Sequence, residues 1–88
     1  MDDISKIATS PETILAKLQD IFRSELEDDD LEIDMDTRQV ALKAWDSLAH
    51  IRLVSGIESE FGFQFSLAEI EQINSIRQFV DAIREHLQ

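Results

Sequence analysis

The sequence contains no cysteine, which removes disulfide staples, thiolate zinc sites and a cysteine nucleophile together and fits a reducing compartment. Glycine and proline are scarce, two and one in 88 residues, and with 43% hydrophobic and 31% charged residues the composition is that of a folded helical domain, not a disordered tail. Basic residues are few: eight Lys and Arg stand against 19 Asp and Glu, a net charge of -11. Phosphate backbones and anionic lipid surfaces are therefore repelled on average, and neither nucleic acid nor membrane is an expected partner. No apolar run approaches the roughly 20 residues of a membrane span, and Asp2 and Asp3 stand where a signal peptide would be positive. The expectation is a cytoplasmic protein. A chain of this length also excludes a multi-domain enzyme.

What is present is helix punctuation. Ser10-Pro11-Glu12 offers an N-cap acceptor, a proline where its missing N–H costs nothing and an acid at the positive end of a helix dipole. Ile14, Leu18, Ile21 and Phe22 then recur at helical spacing, which predicts a first helix over residues 11–26. Residues 1–10 read as an extension and 11–88 as the domain. Eight acids between Glu25 and Asp36, with no base among them, would stack like charges in a helix, so a long solvated loop is expected, pinned by Leu31, Ile33 and Met35. Asp28, Asp30, Asp34 and Asp36 offer oxygen ligands, but the glycine and the twelfth-position glutamate of a calcium loop are missing, so no metal centre is assigned.

Asp46 caps a second helix, in which Ile51, Val54, Ile57 and Phe61 share a face with Leu53 at its edge, and Gly62 ends it. Phe63 and Phe65 plug the core from the connection. Ser66-Leu67-Ala68-Glu69 spells a capping box for a short helix around 67–72, and Ser75 repeats the signal before a last helix carrying Ile76, Phe79, Val80, Ile83 and Leu87. The fold class is all-α: a small four-helix bundle of three longer helices and one short one, with a long loop between the first two. Its expected core is Ile14, Leu18, Phe22, Leu42, Ile51, Val54, Ile57, Phe61, Phe65, Ile70, Phe79, Val80 and Ile83. A core of aliphatic side chains can open along its seams where no polar network locks it, which would give an apolar cargo room between helices.

His50 lies three residues after Ser47, one helical turn away, but no glycine-framed nucleophile turn or oxyanion hole accompanies the pair. Both histidines, His50 and His86, read as partly exposed surface residues, and no catalytic residue is assigned. Ser47 itself stands at a helix start, where free N–H groups and the dipole accommodate a phosphate. A hydroxyl there suits a phosphodiester installed by a separate enzyme.

Trp45-Asp46-Ser47-Leu48 opening an amphipathic helix, followed by Ile51, Leu53, Ile57 and Glu58-Ser59-Glu60-Phe61-Gly62, resembles the acyl carrier proteins over roughly residues 11–88. The resemblance implies a carrier, not an enzyme, with 4′-phosphopantetheine from coenzyme A attached to Ser47 and acyl or aminoacyl groups held as thioesters on it. It implies a phosphopantetheinyl transferase and acyl-loading and acyl-processing enzymes with basic docking patches as partners, met by Asp46, Leu48, Glu58 and Glu60, with Arg52 a further docking candidate; a small, strongly charged domain that docks transiently reads as a monomer. Primary fatty-acid carriers usually have a small or aliphatic residue at position 45 and acids at positions 49 and 52, where this chain has Trp45, Ala49 and Arg52. That pattern looks more like carriers of specialised pathways, such as polyketide biosynthesis. Arg52 reads either as a selectivity residue or as the partner of Glu58 or of a loop acid. A cofactor-free acidic adaptor that binds a basic protein is the alternative.

Overall fold

The structure, a computed structural model, describes residues 10–88; apart from Ser10, the expected extension over 1–10 lies outside the described residues. Helix α1 spans Pro11–Glu25, α2 Ser47–Phe61, α3 Leu67–Gln72 and α4 Ile76–Leu87, with a 3₁₀ turn at Gln39–Ala41 in the long α1–α2 loop. The architecture is the expected all-α bundle. Each start has the side-chain cap that its sequence offers: Ser10, Asp46, Ser66 and Ser75 accept from Thr13, Ala49, Glu69 and Gln78 amides respectively. The capping box on α3 is complete, because the Glu69 carboxylate also accepts from the Ser66 amide at 2.8 Å. On α4 the reciprocal bond shifts by one residue, with the Asn74 amide donating to Gln78 Oε1 at 2.8 Å.

The two ends of the long helices solve one problem differently. Gly62 closes α2 in the left-handed region at φ 77, donating to Glu58 O, as a residue without a side chain can at no steric cost. Helix α1 also closes on a left-handed residue, Glu27, at φ 54. The Asp28 amide reaches Arg23 O at 3.0 Å and the Glu27 amide Ser24 O at 3.3 Å, a Schellman pair built on a residue that does not favour it.

The acidic loop is held as well as solvated. Gln19 donates to Leu31 O and accepts from the Ile33 amide, both at 2.7 Å, and Arg23 Nε donates to Leu31 O at 2.6 Å. Ile33 is buried, with Leu31 and Met35 packed against the core beside it. Further on, Arg38 pairs antiparallel with Ser75, so the Gln39 amide donates to Asn74 O and the Ile76 amide to Thr37 O. This bridge ties the loop to the start of α4.

Helix α1 packs on both α2 and α4. Its approach to α2 uses Gly56, where a side-chain carbon would stand 3.2 Å from Ile21 Cγ2. Ile14, Leu18, Phe22, Leu53, Ile57, Ile76, Phe79 and Ile83 are fully buried. Two expectations about the core are corrected. Ile51 is 56% exposed, and Leu53, expected at the edge, sits at the centre of the buried face. The cause is His50: read as polar, it drew the apolar stripe toward Ile51, whereas the true stripe runs through His50, Leu53, Val54 and Ile57. Leu42, Phe61 and Ile70 are partly buried and pack against the core, while Ile73, beyond α3, is buried without having been expected.

Candidate functional site

The site is built where the long loop becomes α2. Asp46 leaves the helix in an extended conformation and its carboxylate takes the Ala49 amide at 2.8 Å. Ser47 is therefore the first helical residue, exposed, and its hydroxyl makes no hydrogen bond among the described residues. No bond from the Ser47 or Leu48 amide is formed among the described residues either. A free hydroxyl, two free amides and the positive end of a fifteen-residue helix thus coincide, which is an arrangement fit for an anionic ester on Ser47 Oγ.

Immediately beneath lies Trp45, 2% exposed. Its backbone is tied on both sides, the amide donating to Leu42 O at 2.9 Å and the carbonyl accepting from Gln39 Nε2 at 3.1 Å. Its ring meets Phe22 edge-on at 5.0 Å and stacks on Phe79 at 5.9 Å. The indole N–H donates to His50 Nδ1 at 3.0 Å, and His50 Nε2 lies 2.8 Å from Ile70 O. An indole can only donate and a carbonyl can only accept, so the ring carries its proton on Nε2 and relays one donor chain from Trp45 to α3.

This corrects the reading of His50 as a surface residue: it is 8% exposed, and with both ring nitrogens engaged it is no base for Ser47. Its burial follows from the satisfied chain, since a buried polar group left unpaired costs about 1–3 kcal/mol. The tryptophan five residues before the histidine was the one sequence signal for it. His86 is partly exposed, stacks on Phe63 at 4.3 Å and meets the Glu69 carboxylate at 3.0 Å. Glu69 in turn is held below the ordinary carboxylate value, first by the Ser66 amide and then by His86, against a partial burial that raises it.

The other candidates spread along α2. Leu48 is 73% exposed and shares the outer face with Ile51. Arg52 projects from that side, its Nε 4.0 Å from Glu25 Oε1 on α1, and not toward Glu58. Glu58 accepts from the Phe65 amide at 2.8 Å, holding the α2–α3 connection, and Glu60 pairs with Lys17 at 3.2 Å. Each keeps a second oxygen outside those bonds. Ala49 is 1% exposed, so the missing acid there belongs to packing, as does Trp45; of the three sequence departures only Arg52 faces outward. A groove of about 560 Å³ beside Asp46 is lined by Ser24, Glu25, Leu26, Glu27, Ala44 and Arg52. Among the described residues no three His, Asp or Glu side chains are grouped to hold a metal ion, and no helix is long and apolar enough to cross a membrane.

Residues 16–83 match the family described as "Phosphopantetheine attachment site". The chain is similar to an acyl carrier protein of Coprothermobacter proteolyticus, 32% identical over 76 residues that cover 86% of this chain and 93% of that one. Its fold is similar to the solution NMR structure of the holo acyl carrier protein from Geobacter metallireducens, with a TM-score of 0.76 and 29% identity over 83% of this chain and 84% of that chain.

Proposed function

The chain belongs to the acyl carrier protein family, a carrier with a covalent phosphopantetheine and not an enzyme, and we propose that Ser47 is its attachment residue. The observation that carries this is the exposed, unbonded hydroxyl on the first residue of α2. When bound, the group supplies a terminal thiol on which acyl cargo is held as a thioester. The chain's own contribution is placement. Asp46 fixes where the helix begins, and the free Ser47 and Leu48 amides complement the phosphodiester charge. Incubation with coenzyme A and a broad-specificity phosphopantetheinyl transferase should add one phosphopantetheine by intact mass, and an unchanged mass would refute the assignment. The cofactor-free adaptor is displaced by family membership.

Carriers of this family meet a phosphopantetheinyl transferase and acyl-processing enzymes. The outer face of α2 supports a docking role: exposed Leu48 and Ile51 offer apolar contact beside Asp46 and Arg52, with Glu58 and Glu60 at the far end of the helix. Complementary charge then sets encounter rate and rejects wrong partners more than it adds affinity. The net charge of -11 suits basic patches and supports a monomer that docks transiently in the cytoplasm.

A specialised pathway, polyketide or related, is the finer reading. Arg52 supports it, because its contact with Glu25 is long and solvent-exposed and so leaves the guanidinium available to a partner. Arg52→Glu should raise turnover by primary fatty-acid synthase enzymes and lower it with the cognate loading enzyme, both effects shrinking as salt rises. Equal rates for parent and variant with both enzyme sets would make Arg52 an ordinary surface charge.

A further inference from the structure

We infer that Gln39 is a positioning residue for phosphopantetheine transfer: its side-chain amide holds the corner of backbone that presents Ser47 and ties that corner to the start of α4. The inference rests on Ser47 as the attachment residue. A hydroxyl on the first residue of a helix is aimed by the backbone that enters the helix, and here the entry is the turn from Gln39 to Asp46. Gln39 is neither apolar nor charged and belongs to no motif, so nothing in the sequence singles it out.

Three hydrogen bonds converge on it. Its amide donates to Asn74 O at 2.8 Å, its carbonyl accepts from the Leu42 amide at 3.1 Å, and its Nε2 donates to Trp45 O at 3.1 Å. The first belongs to the bridge between Arg38 and Ser75, so Gln39 is anchored to a segment distant in the chain. The second closes the 3₁₀ turn, and the Trp45 amide extends the path by donating to Leu42 O at 2.9 Å. The third reaches the last peptide before the cap, and no other bond to Trp45 O is formed among the described residues.

The cap and the clamp do different things. Asp46 takes the Ala49 amide within one turn and so decides where α2 begins. Gln39 decides how that beginning sits against the loop and α4, the surface around Ser47 that a docked transferase meets. In the transfer Ser47 Oγ forms a bond to the phosphorus of coenzyme A that bears the pantetheine, the phosphoanhydride bond breaks, adenosine 3′,5′-bisphosphate leaves, and the serine proton passes to a base that the transferase supplies. Oγ must stand in line with the breaking bond, and an error of about 1 Å in such an alignment costs on the order of a hundredfold in rate.

The test incubates the full chain with saturating coenzyme A and an excess of a broad-specificity phosphopantetheinyl transferase at several concentrations, intact mass giving single-turnover rates. Gln39→Met keeps the side-chain length and removes the donor. Its limiting rate should fall roughly tenfold, between the few-fold of one lost hydrogen bond and the hundredfold of a full displacement, with the half-saturating transferase concentration unchanged. Partial unfolding does the reverse, raising the half-saturating concentration and leaving the limiting rate; that pattern, or a limiting rate equal to the parent's, would overturn the inference and leave Ser47 standing. Gln39→Lys, whose ammonium can donate to Trp45 O, should keep most of the rate, and a folded Lys variant as slow as the Met variant would overturn the assignment to the donor. Circular dichroism checks each fold; if Gln39→Met is unfolded, Gln39→Glu, which keeps the amide's shape and sets an acceptor before Trp45 O, takes its place with the same expectation. No mass gain on the parent overturns the attachment reading and this one with it.

Discussion

The two faces of α2 carry similar side chains to opposite ends. On the inner face Leu53, Val54 and Ile57 are buried in the core; on the outer face Leu48 and Ile51, no less apolar, stand in solvent beside Ser47. Even the polar residues are divided against expectation, since His50 lies inside and Arg52 outside. Hydropathy says what a side chain gains by burial; which side is buried depends on what the neighbouring helices present. Stability should accordingly follow the inner face and modification and docking the outer one.

The largest effect that would break this division is at Ser47. Ser47→Ala should abolish phosphopantetheine transfer by intact mass and leave the circular-dichroism melt unchanged, because Asp46 supplies the cap and the serine hydroxyl bonds nothing. A lower melting temperature would mean that the outer face carries stability after all.

Next come matched truncations. Phe79→Ala removes a fully buried ring that touches Phe22, Trp45, His50 and Phe65, and should cost about 3–5 kcal/mol, a large share of what a domain has. Leu48→Ala should stay within about 0.5 kcal/mol of the parent in urea unfolding and slow loading by a partner enzyme instead. Comparable losses for both would erase the distinction between the faces.

A smaller effect lies at the helix ends. Glu27→Gly gives α1 the residue that its left-handed closing turn favours and removes one charge from the acidic run, and should stabilise by up to about 1 kcal/mol. The corresponding change at the other end, Gly62→Ala, should destabilise, since φ 77 strains any side chain there. Urea midpoints of the two variants check the signs together.

The smallest effect is the acid response of α3. Glu69 has its carboxyl lowered in the folded state, chiefly by the Ser66 amide. Its contribution is therefore present above the unfolded carboxylate value and lost as pH falls through the folded one. Acid titration followed by fluorescence of Trp45, which His50 links to α3 through Ile70 O, should show a transition that Glu69→Gln flattens; an identical titration in that variant would remove Glu69 from the acid response.

Local chemistry was legible in the sequence because it acts over three or four residues. Ser10-Pro11, Asp46, Gly62 and Ser66 with Glu69 each satisfy orphan backbone groups within one turn, so helix limits and the exposed hydroxyl on Ser47 followed from neighbours alone. The family resemblance rests on the same short-range pattern. What tertiary structure alone decided acts across the chain: the phase of α2, set by a histidine whose two ring nitrogens find partners in Trp45 and Ile70 O; the closing turn at Glu27; the close approach at Gly56; the engagement of Glu58 by the Phe65 amide. A buried polar residue is tolerated only when its partners arrive from other elements, and no periodicity within one helix records them. The sequence by itself pointed to Ser47, the residue proposed to carry the arm, and only the packed bundle decided what space lies beneath it.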